Sequence, residues 1–413
     1  MGSSLSWLDS SREDQRRIRE LLQLFSQTES RDELGIGQVR DAFSELLFPG
    51  TSVLLTRARY LLIVPWCYLE AERRGLTGST FTAAVEKNER KVVATLRRAG
   101  VTDGLIGRVA GVAVKTLPST IYWTSLGRYG IRRVDEPTST MTVHLGSNAE
   151  ADELTDREPR MWHPTLPPVP HGFPGDVPGG LDLSHDEASW LRDRMLTGVP
   201  HSLLVHLLDE EYEPSADSIA PWADPAAAAA PPELATGLRH AELFSLAVHG
   251  AALLYNLQIA ERYEAEKLTQ VEYPVDHYRE RLKEWSNNVQ AEYRLPSWDR
   301  TGMWSIATRM NPKISKKSSL GDFLDRWLAA VADGSAAAAV TATDITQHPL
   351  AQMVAKREET VKKAQSRLVN KRLLRSWSGA SGSDRLTYRW VNVRRILGDI
   401  HDGLGREAND ASA

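Results

Sequence analysis

Apolar side chains recur at helical spacing along most of the chain. Ile18, Leu21, Leu22 and Phe25 fall at i, i+3, i+4 and i+7, behind a capping-box pair, Ser10 and Glu13. Gly35 and Gly37 interrupt the pattern. Val39, Phe43, Leu46 and Leu47 make a second stripe, which stops at Pro49-Gly50. The same reading predicts helices over 53–73, 79–99, 103–115 and 119–129, and one strand candidate, "TSTMTVHL" at 138–145. Ser184 and Glu187 repeat the capping-box signature ahead of "ASWLRDRML". The longest pattern covers 233–268, where "AVHGAALLYNLQIA" is apolar nearly all round, as a central buried helix would be. Helices near 275–294, 319–332 and 347–376 complete the prediction. No period of 20–50 residues repeats, so a solenoid is not supported.

Two breaks divide these patterns. Residues 159–180 hold seven of the 21 prolines and predict an irregular connector whose Trp162 and Phe173 pack onto the rest of the chain. "EPSADSIAPWADPAAAAAPP" (213–232) predicts a mobile loop. The expected fold is therefore mainly α, in two to three domains with at most a few short strands. Residues 1–150 form an N-terminal helical domain, and 151–235 an acidic Pro/Ala-rich connector with a short helical insert. Residues 236–413 form a helical C-terminal domain with a basic end at 353–395.

Composition narrows the class. The chain has 413 residues, 41% apolar and 25% charged, as in ordinary globular proteins. No contiguous apolar run approaches the roughly 18–20 residues of a membrane span, and the N-terminus lacks the apolar core of a secretory signal. No membrane partner is expected, and a cytoplasmic location is. A single cysteine, Cys67, excludes intrachain disulfides, thiolate zinc sites and iron–sulfur clusters. Net charge is −4, but its distribution is uneven. Residues 135–235 carry 4 basic and 19 acidic side chains, whereas 353–395 carry 12 and 3. Such local fields steer partners.

Catalytic motifs are sparse. The chain contains no phosphate-binding P-loop, no dinucleotide fingerprint, no His-Glu-x-x-His and no nucleophile elbow. His240-Ala-Glu242 matches the start of a zinc-deaminase signature without its cysteine pair. The Arg-to-His spacing of one ribonuclease pattern occurs three times, which shows how little it discriminates. "EAEKL" (264–268) supplies a nuclease-like Glu-x-Lys, but on a helix. No cofactor and no metal site are expected.

Arginine placement is more informative. Arg57 and Arg59 stand two apart before an apolar run. On a helix they point about 200° apart, so one faces the core and needs a carboxylate partner. Asp41 and Glu45, on the preceding helix, are the candidates for a structural ion pair, with a phosphate site as the alternative. "IYWTSLGRYGIRR" interleaves Tyr122, Trp123 and Tyr129 with Arg128, Arg132 and Arg133. That mixture grips phosphates and bases in some proteins and anchors cores in others. In the tail, a helix from 349 aligns Leu350, Val354, Val361 and Leu368 within about 40°. Lys356, Lys363, Arg367 and Lys371 then lie within about 80° on a separate face. Arg372, Arg375, Arg385, Arg389, Arg394 and Arg395 extend this field. It reads as a DNA- or RNA-binding surface, a solvated face, or a face docked on the chain's own acidic middle.

"DELGIGQVRDAFSELLFPGTSVLLTRARYLLIVPW", "LPSTIYWTSLGRYGIRR" and "GASGSDRLTYRWVNVRRILGDI" resemble an uncharacterised bacterial family, a domain of unknown function, nearly end to end. The resemblance implies a setting in anti-phage defence islands, beside helicase and phospholipase-D-like proteins that would be partners. It transfers no catalytic residue. The expected function is a non-enzymatic accessory component that binds nucleic acid and partner proteins through the basic C-terminal region. The alternatives are a metal-dependent nuclease and a purely structural assembly subunit.

Overall fold

A computed structural model describes residues 32–133, 161–341 and 345–406. Fifteen α-helices and no strand or sheet lie among these residues, so the fold is mainly α. One isolated antiparallel bridge joins Arg132 to Trp162. The first predicted helix and the strand candidate at 138–145 lie outside the described residues.

The N-terminal helices are α1 (Gly37–Leu47), α2 (Tyr60–Glu72), α3 (Gly78–Arg98) and α4 (Pro118–Arg128). The Asp32 carboxylate accepts the Ile36 and Gly37 amides at 2.7 Å each, satisfying free donors at the start of α1. In α2, Tyr60 through Tyr68 are all buried, and α3 and α4 pack on it. This explains why the run has no polar face.

The connector folds onto these helices. Trp162 stands edge-on to Tyr68 and Trp123, and Phe173 stands edge-on to Trp66. Both Trp162 and Phe173 are buried, as their type in a proline-rich stretch predicts. α5 (His185–Gly198) begins with the predicted capping box. Ser184 Oγ accepts the Glu187 amide at 3.3 Å, and Glu187 Oε2 accepts the Ser184 amide at 3.1 Å.

The Ala-rich stretch has defined local structure. It carries α7 (Pro225–Ala228), after the single-turn α6 (Leu203–His206). Asp224 is fully buried, and its carboxylate accepts the amides of Ser215, Ala226 and Ala227. One buried carboxylate organises the whole turn, which low complexity in the sequence did not reveal.

α8 (Pro232–Ala265) is the central helix, with α9 (Pro274–Ala291), α11 (Ser319–Ala332) and α13 (Pro349–Lys362) around it. Its most apolar window is long and hydrophobic enough to cross a membrane, yet 89% of that window is buried against the rest of the chain. Trp285 and Trp327 stack at 6.2 Å, and their indole nitrogens donate to the α8 carbonyls of Leu246 and Ala247, both at 2.8 Å. Gly250 lets Trp285 approach, since a Cβ there would lie 2.2 Å from the indole. The remaining helices are α10 (Arg300–Met310), α12 (Ser335–Ala339), α14 (Lys371–Arg375) and α15 (Trp390–Leu404). α15 packs on α5, and one connected buried cluster runs from Leu34 to Ile400.

Three helix predictions change. The helix expected over 53–73 starts only at Tyr60, because 49–59 is a loop pinned by side chains from elsewhere. Residues 103–115 form turns and one 3-10 turn at Gly111–Ala113, with Gly107 and Gly111 at φ 80° and 57°. The 347–376 helix breaks at Lys363, whose φ is +50°. There the chain wraps the buried Glu358 carboxylate, which accepts Ser366 Oγ, the Arg367 amide and the Tyr255 hydroxyl. Satisfying that carboxylate outweighs one continued helical turn.

Candidate polyanion-binding surface

The structure reassigns the partners of Arg57 and Arg59. Neither meets Asp41 or Glu45. Asp41 pairs with Arg40 at 2.9 Å, and Glu45 lies 3.4 Å from Arg128. Arg57 Nε instead donates to both Asp399 oxygens, at 2.8 and 3.0 Å, and its Nη2 reaches Asp182 at 2.7 Å. Arg59 Nη2 meets Glu187 at 2.8 Å, and its Nη1 donates to the carbonyls of Pro178 and Gly180. Both arginines therefore face inward, because they occupy a loop and its junction with α2 rather than one helix. The Tyr122 hydroxyl accepts the amides of Thr56 and Arg57 and donates to Arg57 O. Asn392 donates to the carbonyls of Val53 and Leu55. Burial pushes the Asp399 carboxyl up to about 6, opposed by Arg57 and the Ala58 amide.

"IYWTSLGRYGIRR" also turns inward. Tyr122, Trp123 and Tyr129 are buried, and Arg132 stacks 4.4 Å over the Trp123 ring. These aromatics anchor the core and the 49–59 loop rather than face a ligand.

The basic tail divides into an inner and an outer set. Arg367 is only 8% exposed and pairs with Glu33, which Lys362 also reaches at 3.0 Å. It is not on the expected lysine face, because the helix has already broken at Lys363. Arg389 donates to Thr51 O and Arg394 to Ser218 O, while Arg395 meets Asp103 at 2.9 Å. The 49–59 loop and the connector thus occupy Arg389 and Arg394, and the turn after α3 pairs with Arg395 at the surface, although the sequence reading groups all three with the nucleic-acid-binding residues. A further buried arginine, Arg357, was not singled out in the sequence. It donates to Leu34 O and Gly35 O, carbonyls that no local pattern could reveal.

The outer set stays at the surface. Lys356 is exposed beside Glu359, and Lys371 meets Glu266 at 2.7 Å. Lys363, Arg372 and Arg375 are exposed and have no ion pair among the described residues. The Lys371–Glu266 pair ties α14 to the end of α8. Val271 against Gly379 and the edge-on Tyr263 and Trp377 rings hold the two segments side by side. This alignment brings Arg262 and Lys267, which flank Glu266, to the same edge, and Tyr273 follows two positions after Val271; the sequence reading missed them because they are about 100 positions away. Tyr273 is 76% exposed and sits at φ +45° at the start of α9. Glu264 and Glu272 share the edge, with Glu264 accepting the Val275 amide at 3.2 Å. Cations beside an unburied aromatic ring can hold a phosphate backbone and stack a base.

Among the described residues, no three His, Cys, Asp or Glu side chains converge as a metal site. Cys67 is buried, and burial raises its thiol well above the usual range.

These features define an all-α protein with an arginine-locked interior and one basic, aromatic-bearing edge. The chain belongs to a family of unknown function, DUF6361, whose family model matches residues 2–404. No curated protein and no solved structure shows significant similarity to it.

Proposed function

We propose that this protein is a non-enzymatic accessory component that binds single-stranded nucleic acid along the edge formed by α14 and the end of α8. The observation that carries the reading is the exposed pair Arg372 and Arg375 on α14, which Lys371–Glu266 ties to the end of α8, with Lys363 exposed in the preceding turn and the Tyr273 ring exposed ahead of α9. Exposed cations that form no ion pair keep their charge for phosphates, and the ring offers a stacking surface. In the defence setting that the sequence resemblance implies, such a subunit would present nucleic acid to a helicase or phospholipase-D-like partner.

The test is fluorescence anisotropy with labelled single- and double-stranded DNA and RNA over a salt series. Affinity should fall steeply with salt and fall further in the triple variant K363E/R372E/R375E. Binding indifferent to both changes would refute the reading. The same samples, incubated with magnesium or manganese, test the nuclease alternative, for which strand cleavage is the signature.

A structural assembly role is the second reading. It is favoured by the burial of Arg59, Arg357 and Arg367, which places much of the arginine inside the molecule.

A further inference from the structure

A cleft of about 320 Å³ opens between α8, α9 and the segment leading into α15, lined by none of the residues of the edge described above. α9 contributes Arg281, Glu284, Trp285 and Asn288, a spacing of three, four and seven that puts them on one helix face. His249 comes from α8 and Arg385 from the segment before α15.

The two arginines are held in different ways. Arg281 Nη1 donates to Ser383 Oγ at 3.1 Å, and its Nη2 to Ser383 O at 2.8 Å. Its nearest carboxylate, Asp384, is 3.7 Å away and 88% exposed, so water screens that pair. Arg385 donates to Ser245 Oγ at 3.3 Å and stacks 4.8 Å over the Trp222 ring. It has no ion pair among the described residues. The acids nearest to it in effect, Glu242 and Glu292, are both bound by Arg294. Burial therefore pulls the Arg385 pKa down, with Glu242, Tyr388 and Glu292 only partly opposing it.

His249 reports the same field. Its Nε2–H donates to Ser383 O at 3.1 Å. Burial, Arg281 and Arg385 together hold its pKa down to about 4. The ring is neutral at pH 7, with Nδ1 left as an acceptor. Two arginines thus line one cleft, Arg281 with only a water-screened carboxylate and Arg385 with no ion pair among the described residues, an arrangement that favours a bound anion. Asn288 adds an exposed amide at the mouth. Glu284 and Asp384 put negative charge on the rim, which limits how much further anionic surface a ligand can carry.

We infer that this cleft binds a single phosphate group, clamped between Arg281 and Arg385 and carried by a ligand of at most mononucleotide size. Planar, multidentate guanidinium donors suit phosphate oxygens, and the volume is at the small end for ligand sites. The inference does not rest on the nucleic-acid edge, since it uses different residues and a different ligand size.

Calorimetry and thermal shift on the full chain test it, using inorganic phosphate, 5′-AMP and a trinucleotide with or without a 5′-phosphate, against chloride at matched ionic strength. We expect phosphate-bearing probes to bind and to raise the melting temperature. We also expect the His249 pKa, followed by NMR, to rise with saturation as the anion offsets the two arginines. Arg385→Gln should weaken binding at least tenfold, with Arg385→Lys intermediate. Asn288→Asp, an exposed change that leaves folding intact, should weaken binding by repulsion even if Arg385→Gln compromises the fold. Preference for 5′-AMP or for the phosphorylated trinucleotide would identify the source of the phosphate. Phosphate binding no tighter than chloride, or binding unchanged in both Arg385→Gln and Asn288→Asp, would overturn the inference.

Discussion

Arg57 and Asp399 lie 342 positions apart in the chain, yet the guanidinium Nε donates to both carboxylate oxygens, at 2.8 and 3.0 Å. The same carboxylate accepts the Ala58 amide at 2.7 Å. One residue of α15 thus fixes the entry to α2, while Asp182 and Glu187 hold the two arginines from the connector. Loop, connector and final helix are locked at a single junction.

Removing either arginine should be costly, because each leaves a carboxylate in a poorly hydrated place. Arg59→Ala and Arg57→Ala are each expected to destabilise by about 3–5 kcal/mol. Asp41→Ala should change stability by no more than about 1 kcal/mol, as an exposed pair does. Urea denaturation of the three variants measures this. A double-mutant cycle of Arg57 with Asp399 should show coupling, and one of Arg57 with Asp41 should show none.

Arg367 separates the inner from the outer basic set. Arg367→Ala, which strands Glu33 with Lys362 alone, should destabilise by about 3 kcal/mol or more. Arg372→Ala should leave the melting curve within about 0.5 kcal/mol of the parent. In nucleic-acid binding the order reverses once folded protein is compared with folded protein. Arg372→Ala should lower affinity and reduce the salt slope by about one ion.

His249 should make the fold acid-sensitive. Its folded pKa, about 4, lies below the ordinary 6.5, so its contribution is complete above pH 6.5. That contribution is lost progressively as pH falls towards 4, by at most about 3 kcal/mol. Urea melts between pH 7.5 and 4.5 should steepen in this window. His249→Gln should flatten the curve, and an unchanged slope would assign the acid sensitivity to other groups.

Gly250→Ala probes the central packing. The added methyl would stand 2.2 Å from the Trp285 ring, so the indole or α8 must shift. A loss of about 1–3 kcal/mol is expected, together with a changed Trp fluorescence spectrum in the native state. Gly398, where an added Cβ would meet nothing within 4 Å, is the control, and alanine there should be neutral or stabilising on a helix.

By itself, the sequence determined the features that rest on neighbours within a few positions. The α5 capping box was legible in Ser184 and Glu187, because capping is a contact over three residues. The burial of α8 was legible in its apolar circumference, and the mainly α class in the 3.6-residue period. The arginine partners were not legible. Asp41 and Glu45 lie on the preceding helix, but a guanidinium takes whichever carboxylate the fold buries beside it, and Asp399 comes from the far end of the chain. The basic tail divided for the same reason. Charge and period put Arg367 with Lys363 and Lys371, but the buried carboxylate of Glu358 bent the chain at Lys363 and sent Arg367 to Glu33. Tertiary structure also decided which cations are engaged within the chain, since Thr51 and Ser218 took Arg389 and Arg394, while Arg395 pairs with Asp103 at the surface. A charge run records how many cations a segment carries. Burial, which the period alone does not specify for long polar side chains, decides which of them keep their charge for a partner.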